Sequence, residues 1–130
     1  VLLLLPPGKS YTIDADLERI RSVSSQVEVA HKEALDGRYW NAMTLNGLIY
    51  AHVLKLSSEP IIESLRAGAL AAGISGKGPA YVVVVKEESK EPVRDVLRRH
   101  KGDIIASRTR KGAVNPDAEL QIERHDGLWR

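Results

Sequence analysis

The segment Gly73-Ile74-Ser75-Gly76-Lys77-Gly78-Pro79 restricts the fold of this 130-residue chain more than any other. Three glycines within six positions allow positive φ and let successive N–H groups turn into one concavity, a nest suited to anions and to phosphate above all. Ser75 would add a hydroxyl donor and Lys77 a charge. The segment follows a run of small residues (Ala67, Gly68, Ala69, Ala71, Ala72) that reads as the last turns of a helix, and it precedes the β-branched strand Ala80 to Val85. Helix, loop, strand is the reverse of the order in Walker and dinucleotide loops, which use the N-terminus of the helix that follows. A glycine-rich cap joining a helix to a strand accounts for the same composition.

The rest of the chain reads as β, three helices, β, α, β, β. Val1 to Leu5, closed by Pro6-Pro7-Gly8, is a continuous apolar run and predicts a strand buried on both faces. Asp14 is a candidate N-cap for an amphipathic helix carrying Leu17, Ile20, Val23, Val27, Ala30 and Ala34, ended by Asp36-Gly37. A second helix, about Tyr39 to Leu56, is apolar nearly all round and should lie deep. Ser57-Ser58-Glu59-Pro60 starts a third, with Ile62, Leu65, Ala69 and Ala72 on one face. Glu91 to His100 predicts a short helix with Val93, Val96 and Leu97 inward, and Asp103 to Thr109 a strand. Lys111-Gly112 and Asn115-Pro116-Asp117 are turn chemistry, and Ala118, Leu120 and Ile122 alternate with polar residues as in a strand wet on one side. The expected class is α+β, helices packed on one face of a mostly antiparallel sheet.

Composition removes several function classes. With no Cys there is no disulfide framework, thiolate metal centre or Cys nucleophile, which fits a reducing, cytoplasmic setting. The charge of +2 is too small to argue for nucleic acid or a membrane. The apolar opening of five residues is far shorter than the roughly 20 of a membrane span or the 7–15 of a secretory h-region. With no initiator Met, the chain reads as a piece of a longer protein in which half of a site lies upstream.

Other segments carry weaker signals. Gly8-Lys9-Ser10 imitates the end of a Walker A loop, but Leu3 stands where that motif needs glycine, and Pro6 and Pro7 have no N–H. Asn41 and Asn46 are poor interior helix residues, and Gly47 costs roughly 1 kcal/mol there against Ala. If buried, the two Asn side chains either cap backbone or face a ligand cleft. Arg94, Arg98, Arg99, Lys101, Arg108, Arg110 and Lys111 lack interleaved aromatics and read as a solvated face. His31, His52, His100 and His125 have no metal-ligand spacing.

From Gly73 to Ala80 the sequence resembles the C-terminal glycine-rich motif of the GHMP kinases. Tyr39-Trp-Asn-Ala-Met-Thr-Leu-Asn-Gly47 with Ala71 to Tyr81 looks most like the archaeal-type shikimate kinases of that superfamily. The resemblance implies that residues 1–130 form the ferredoxin-like C-terminal domain of a two-domain kinase, with ATP and Mg2+, an absent N-terminal partner domain, and neither nucleic acid nor membrane as partner. It implies transfer of the γ-phosphoryl group of ATP to the 3-hydroxyl of shikimate, in aromatic amino-acid biosynthesis. Gly73, Ser75, Gly76, Lys77 and Gly78 would form the phosphate loop and Asn41 and Asn46 line the substrate side. The catalytic residues would lie in the N-terminal half, leaving this fragment inactive alone. Lys77 departs from the motif, which usually has Thr or another small polar residue there. The alternatives are a homoserine or mevalonate type of kinase, or a non-catalytic α+β ligand-binding module.

Overall fold

A computed structural model describes residues 1–8, 16–76 and 78–109, and the backbone of 121–123. The elements run β1 (Leu2–Leu5), α1 (Leu17–Ser22), α2 (Ser24–Leu35), α3 (Tyr39–Val53), α4 (Glu59–Arg66), β2 (Ala71–Ile74), β3 (Tyr81–Val84), α5 (Lys90–Leu97), β4 (Asp103–Ala106) and β5 (Gln121–Glu123). The strands form one antiparallel sheet in the order β2-β3-β1-β4-β5. Strands β1 to β4, with helices between β1 and β2 and between β3 and β4, make the split βαβ pattern of a ferredoxin-like fold, as the resemblance implied.

Cross-strand partners point to the same face. Leu2 pairs with Val83 and Ala106, Leu4 with Tyr81 and Ile104, and Ala72 with Val83, so these residues share the core side. Ala51 of α3, Ile61 of α4, and Val93 and Leu97 of α5 complete that core. On the opposite face Leu3, Val82, Val84 and Ile105 are only half-buried. β1 is therefore covered on one face, not two: Leu2 and Leu4 are buried while Leu5 is 37% exposed. That alternation belongs to an antiparallel sheet with a single helical layer.

The helices differ from expectation in three places. The first divides at Val23 into α1 and α2, and its cap is Asp16, whose Oδ1 accepts from the N–H groups of Glu18 and Arg19 at 3.1 Å. Asp14 lies outside the described residues, as do Lys9 and Ser10. α3 is not sunk on all sides, because Tyr39 and Trp40 are exposed. α4 ends at Arg66, where Gly68 takes φ 100° and the Ala69 N–H returns to the Ser64 carbonyl at 3.0 Å. Such a turn halts a helix. The alanines beyond it are therefore strand β2, and Ile61 faces the core while Ile62 is 41% exposed.

Charged residues pin the helical layer. At the α2–α3 turn Arg38 donates to Glu33 Oε1 and Oε2 at 2.7 and 2.8 Å and to Asp36 Oδ2 at 2.8 Å. Its hydrogen bond holds the Glu33 carboxyl below the usual carboxylate range. His100 Nε2 lies 2.9 Å from Glu63 Oε2, tying the end of α5 to α4. Within the basic cluster Arg94 is buried rather than solvated and bonds Glu91 at 3.0 Å, while Arg98 bonds Asp95 at 2.9 Å. His31 and His52 are exposed. Arg110, Lys111, the turns after them, Ala118, Leu120 and His125 lie outside the described residues. Among the described residues no helix is long and apolar enough to cross a membrane.

Leu4, fully buried at the sheet centre, sets the stability of this core. Leu4→Ala should lower unfolding free energy by about 2–5 kcal/mol, the range for a buried Leu truncation. Denaturant unfolding would show this as a lower midpoint with an unchanged slope.

Candidate functional site

The glycine-rich segment joins β2 to β3, so it is the turn of an antiparallel hairpin and does not leave a helix. Gly73 lies within β2. The Ser75 N–H donates to the Ala80 carbonyl at 2.8 Å, and the Gly78 N–H to the Ser75 carbonyl at 3.0 Å. Gly76 and Gly78 take φ 57° and 74°. A hairpin turn closes its own hydrogen bonds, so two amides of the expected nest are engaged internally. Among the described residues the Gly76 N–H is the amide that remains, beside the exposed Ser75 side chain. A Cβ built on Gly76 meets nothing within 4 Å, so bare backbone faces open space there. Lys77 lies outside the described residues.

The connector between α3 and α4 supports this turn. A Cβ on Gly78 would come within 2.6 Å of Leu56 Cδ1, so the leucine packs directly on glycine backbone. The Tyr81 hydroxyl donates to the Ser57 carbonyl at 2.8 Å. Burial pushes the Tyr81 phenol up, which keeps that donor protonated. α3 ends with the Leu56 N–H on the Ala51 carbonyl at 2.8 Å and Lys55 at φ 58°. That left-handed conformation costs an L residue roughly 1–2 kcal/mol.

α3 itself lies along the outer edge of β2. A Cβ on Gly47 would collide with the Gly73 Cα and stand 3.1 Å from the Ala72 carbonyl oxygen. One on Gly73 would stand 3.0 Å from the Met43 carbonyl oxygen. Thr44 Oγ1 accepts from the Ala72 N–H at 3.3 Å, completing an edge amide that has no strand beside it among the described residues. Gly47 is thus a close-packing residue. Asn41 and Asn46 are exposed, against the expectation of burial. α3 therefore places Asn46 and the hairpin in one rigid unit but does not bury either Asn.

Sequence reasoning missed Thr44, Leu56 and Tyr81 as supports of the turn. Their contacts join segments more than 20 residues apart in sequence, and composition carries no trace of them. The missed strand did have a signal, the Ala67-Gly68 helix stop. Among the described residues no group of three or more His, Asp or Glu could hold a metal ion.

Over residues 32–103 the chain matches the family described as GHMP kinases C terminal. It is 37% identical over 107 residues to a shikimate kinase of Methanothermobacter thermautotrophicus, covering 82% of this chain and 37% of that protein. It is 42% identical over 105 residues to a shikimate kinase of Methanothrix thermoacetophila, covering 81% and 36%. For the shikimate kinase of Pyrococcus furiosus the identity is 36% over 110 residues, covering 85% and 39%. The chain thus spans little more than a third of the length of these relatives.

The Gly47–Gly73 contact makes a prediction of sign. Helix propensity alone says Gly47→Ala should stabilise by about 1 kcal/mol. The collision with the Gly73 Cα says it should destabilise, and a lower thermal midpoint in Gly47→Ala is the expected result.

Proposed function

Because the chain belongs to the GHMP kinases C-terminal family, we propose that it is the C-terminal domain of a shikimate kinase. In this reading it works with an N-terminal domain to transfer the γ-phosphoryl group of ATP to the 3-hydroxyl of shikimate, in the cytoplasm. Curated relatives bearing that name match more than four-fifths of this chain, which supports the substrate. The structural observation that carries the reading is the bare backbone of Gly76 beside the exposed Ser75, on a hairpin fixed from two sides.

Phosphoryl transfer asks a protein mainly for positioning and for charge stabilisation at the phosphoryl oxygens. The Gly76 N–H supplies a fixed donor to a phosphate oxygen, and the Ser75 hydroxyl a second. With no side chain on Gly76, a phosphate can approach the main chain closely. Lys77, between Gly76 and Gly78 in the sequence, carries a positive charge. Gly73 and Gly78 act indirectly, by letting α3 and Leu56 pack against the hairpin. Asn41 and Asn46, both exposed on α3, are the substrate-side candidates.

Bound ATP would supply the transferable phosphoryl group, and Mg2+ would neutralise its phosphate oxygens. The turn fits the anionic end of such a nucleotide. For the metal, the described residues offer no ligand cluster, so none is assigned. The group that takes the proton from the hydroxyl is assigned to the N-terminal domain.

Two measurements test this. The intact protein should release ADP with shikimate and not with homoserine or mevalonate. Release with another alcohol would move the assignment within the superfamily, and no release with any would favour a binding module. Gly76→Val should cut kcat/KM at least about 100-fold, the scale for losing one backbone donor to developing charge. Near-normal turnover in that variant would remove the phosphate role of the turn.

A further inference from the structure

Lys55 is, among the described residues, the non-glycine residue that takes a left-handed backbone, at φ 58°. It follows the last turn of α3, its N–H reaching the His52 carbonyl at 3.2 Å. Glycine is the usual occupant of such a position because it enters the conformation without steric conflict. Here a lysine holds it, and its side chain is exposed. Among the described residues no carboxylate pairs with it.

The residues that follow Lys55 are fastened to the glycine hairpin. Leu56 packs on Gly78, and the Ser57 carbonyl accepts from the hydroxyl of Tyr81, the first residue of β3. Adjacent Cα atoms are 3.8 Å apart, so Lys55 is carried one residue from a side chain that touches the turn. Its backbone cannot drift away without breaking the Leu56 or the Ser57 contact. Strained residues persist where the surrounding structure over-determines them, and they gather at ligand clamps. An ammonium on a flexible four-carbon stem suits a phosphate that arrives on a neighbouring turn.

We propose that Lys55 is an anion-binding residue of this site, its ammonium pairing with a phosphate oxygen of a nucleotide seated on the Ser75–Gly76 turn. The inference rests on the phosphotransferase reading above and adds a second cation, outside the glycine motif that carries Lys77. It requires stability and binding to move in opposite directions. Glycine at position 55 relieves the backbone strain, yet it removes the charge.

The test uses the intact protein, with ADP as probe in calorimetry and thermal melts taken without nucleotide. Lys55→Gly should raise the melting midpoint by roughly 2–4 °C. The same variant should weaken ADP about 10-fold or more, the scale of losing a hydrogen bond to a charged group. Lys55→Arg should keep ADP affinity within a few-fold and show no gain in midpoint. A Lys55→Gly protein that melts higher and binds ADP as tightly as the wild type would overturn the proposal, leaving Lys55 as a helix end only. A lower midpoint would overturn it too, since no strain would then have been relieved. ADP binding needs no acceptor alcohol, so a wild type that binds ADP but leaves shikimate unchanged would count against the substrate assignment alone.

Discussion

The place of the hairpin in this molecule depends on a contact between two residues without side chains. Gly47 of α3 and Gly73 of β2 meet at their Cα atoms, and no residue with a Cβ fits on the helix side without displacing backbone. This approach brings the Thr44 hydroxyl to the Ala72 N–H. It also fixes where α3 ends, and hence where Leu56 and Ser57 meet the turn and Tyr81. Packed interiors do not deform continuously, so a shift at this contact would be felt along the whole path.

Much of this was legible in the chain, and the exceptions have physical reasons. Strand β3 follows from its β-branched run, though its burial alternates instead of running throughout, the Pro-led start of α4 from its capping residues, and the inward Val93 and Leu97 of α5 from periodicity. Strand β2 did not, because Ala71, Ala72 and Gly73 suit a helix as well as a strand and are buried by the helix that covers them. Tertiary packing overrides propensity where side chains are this small. β1 reads as buried throughout because its four leucines hide the alternation that only pairing reveals. In the site, the glycines at 76 and 78 marked a positive-φ turn correctly. Which amides stayed open was not legible, because that depends on the turn closing on Ala80 and Ser75.

The four glycines of the region serve separate ends. Gly47 and Gly73 admit one backbone to another, Gly78 admits the Leu56 side chain, and Gly76 alone faces open space. Among the described residues, a motif that looks like one phosphate cradle is thus mostly a device for packing a short hairpin against its neighbours, and Gly76 is the point it leaves bare. Rigidity counts for more than donor number when the chemistry asks for positioning.

The helix beside β2 has a second consequence. A terminal strand with free amides is a template on which another molecule can add its own strand, the first step toward aggregation. Here α3 occupies that place, and Thr44 takes up the Ala72 N–H. Loosening α3 would therefore unseat the hairpin and bare an adhesive edge at the same moment. In this domain, damage to the site and loss of solubility are two faces of one local opening.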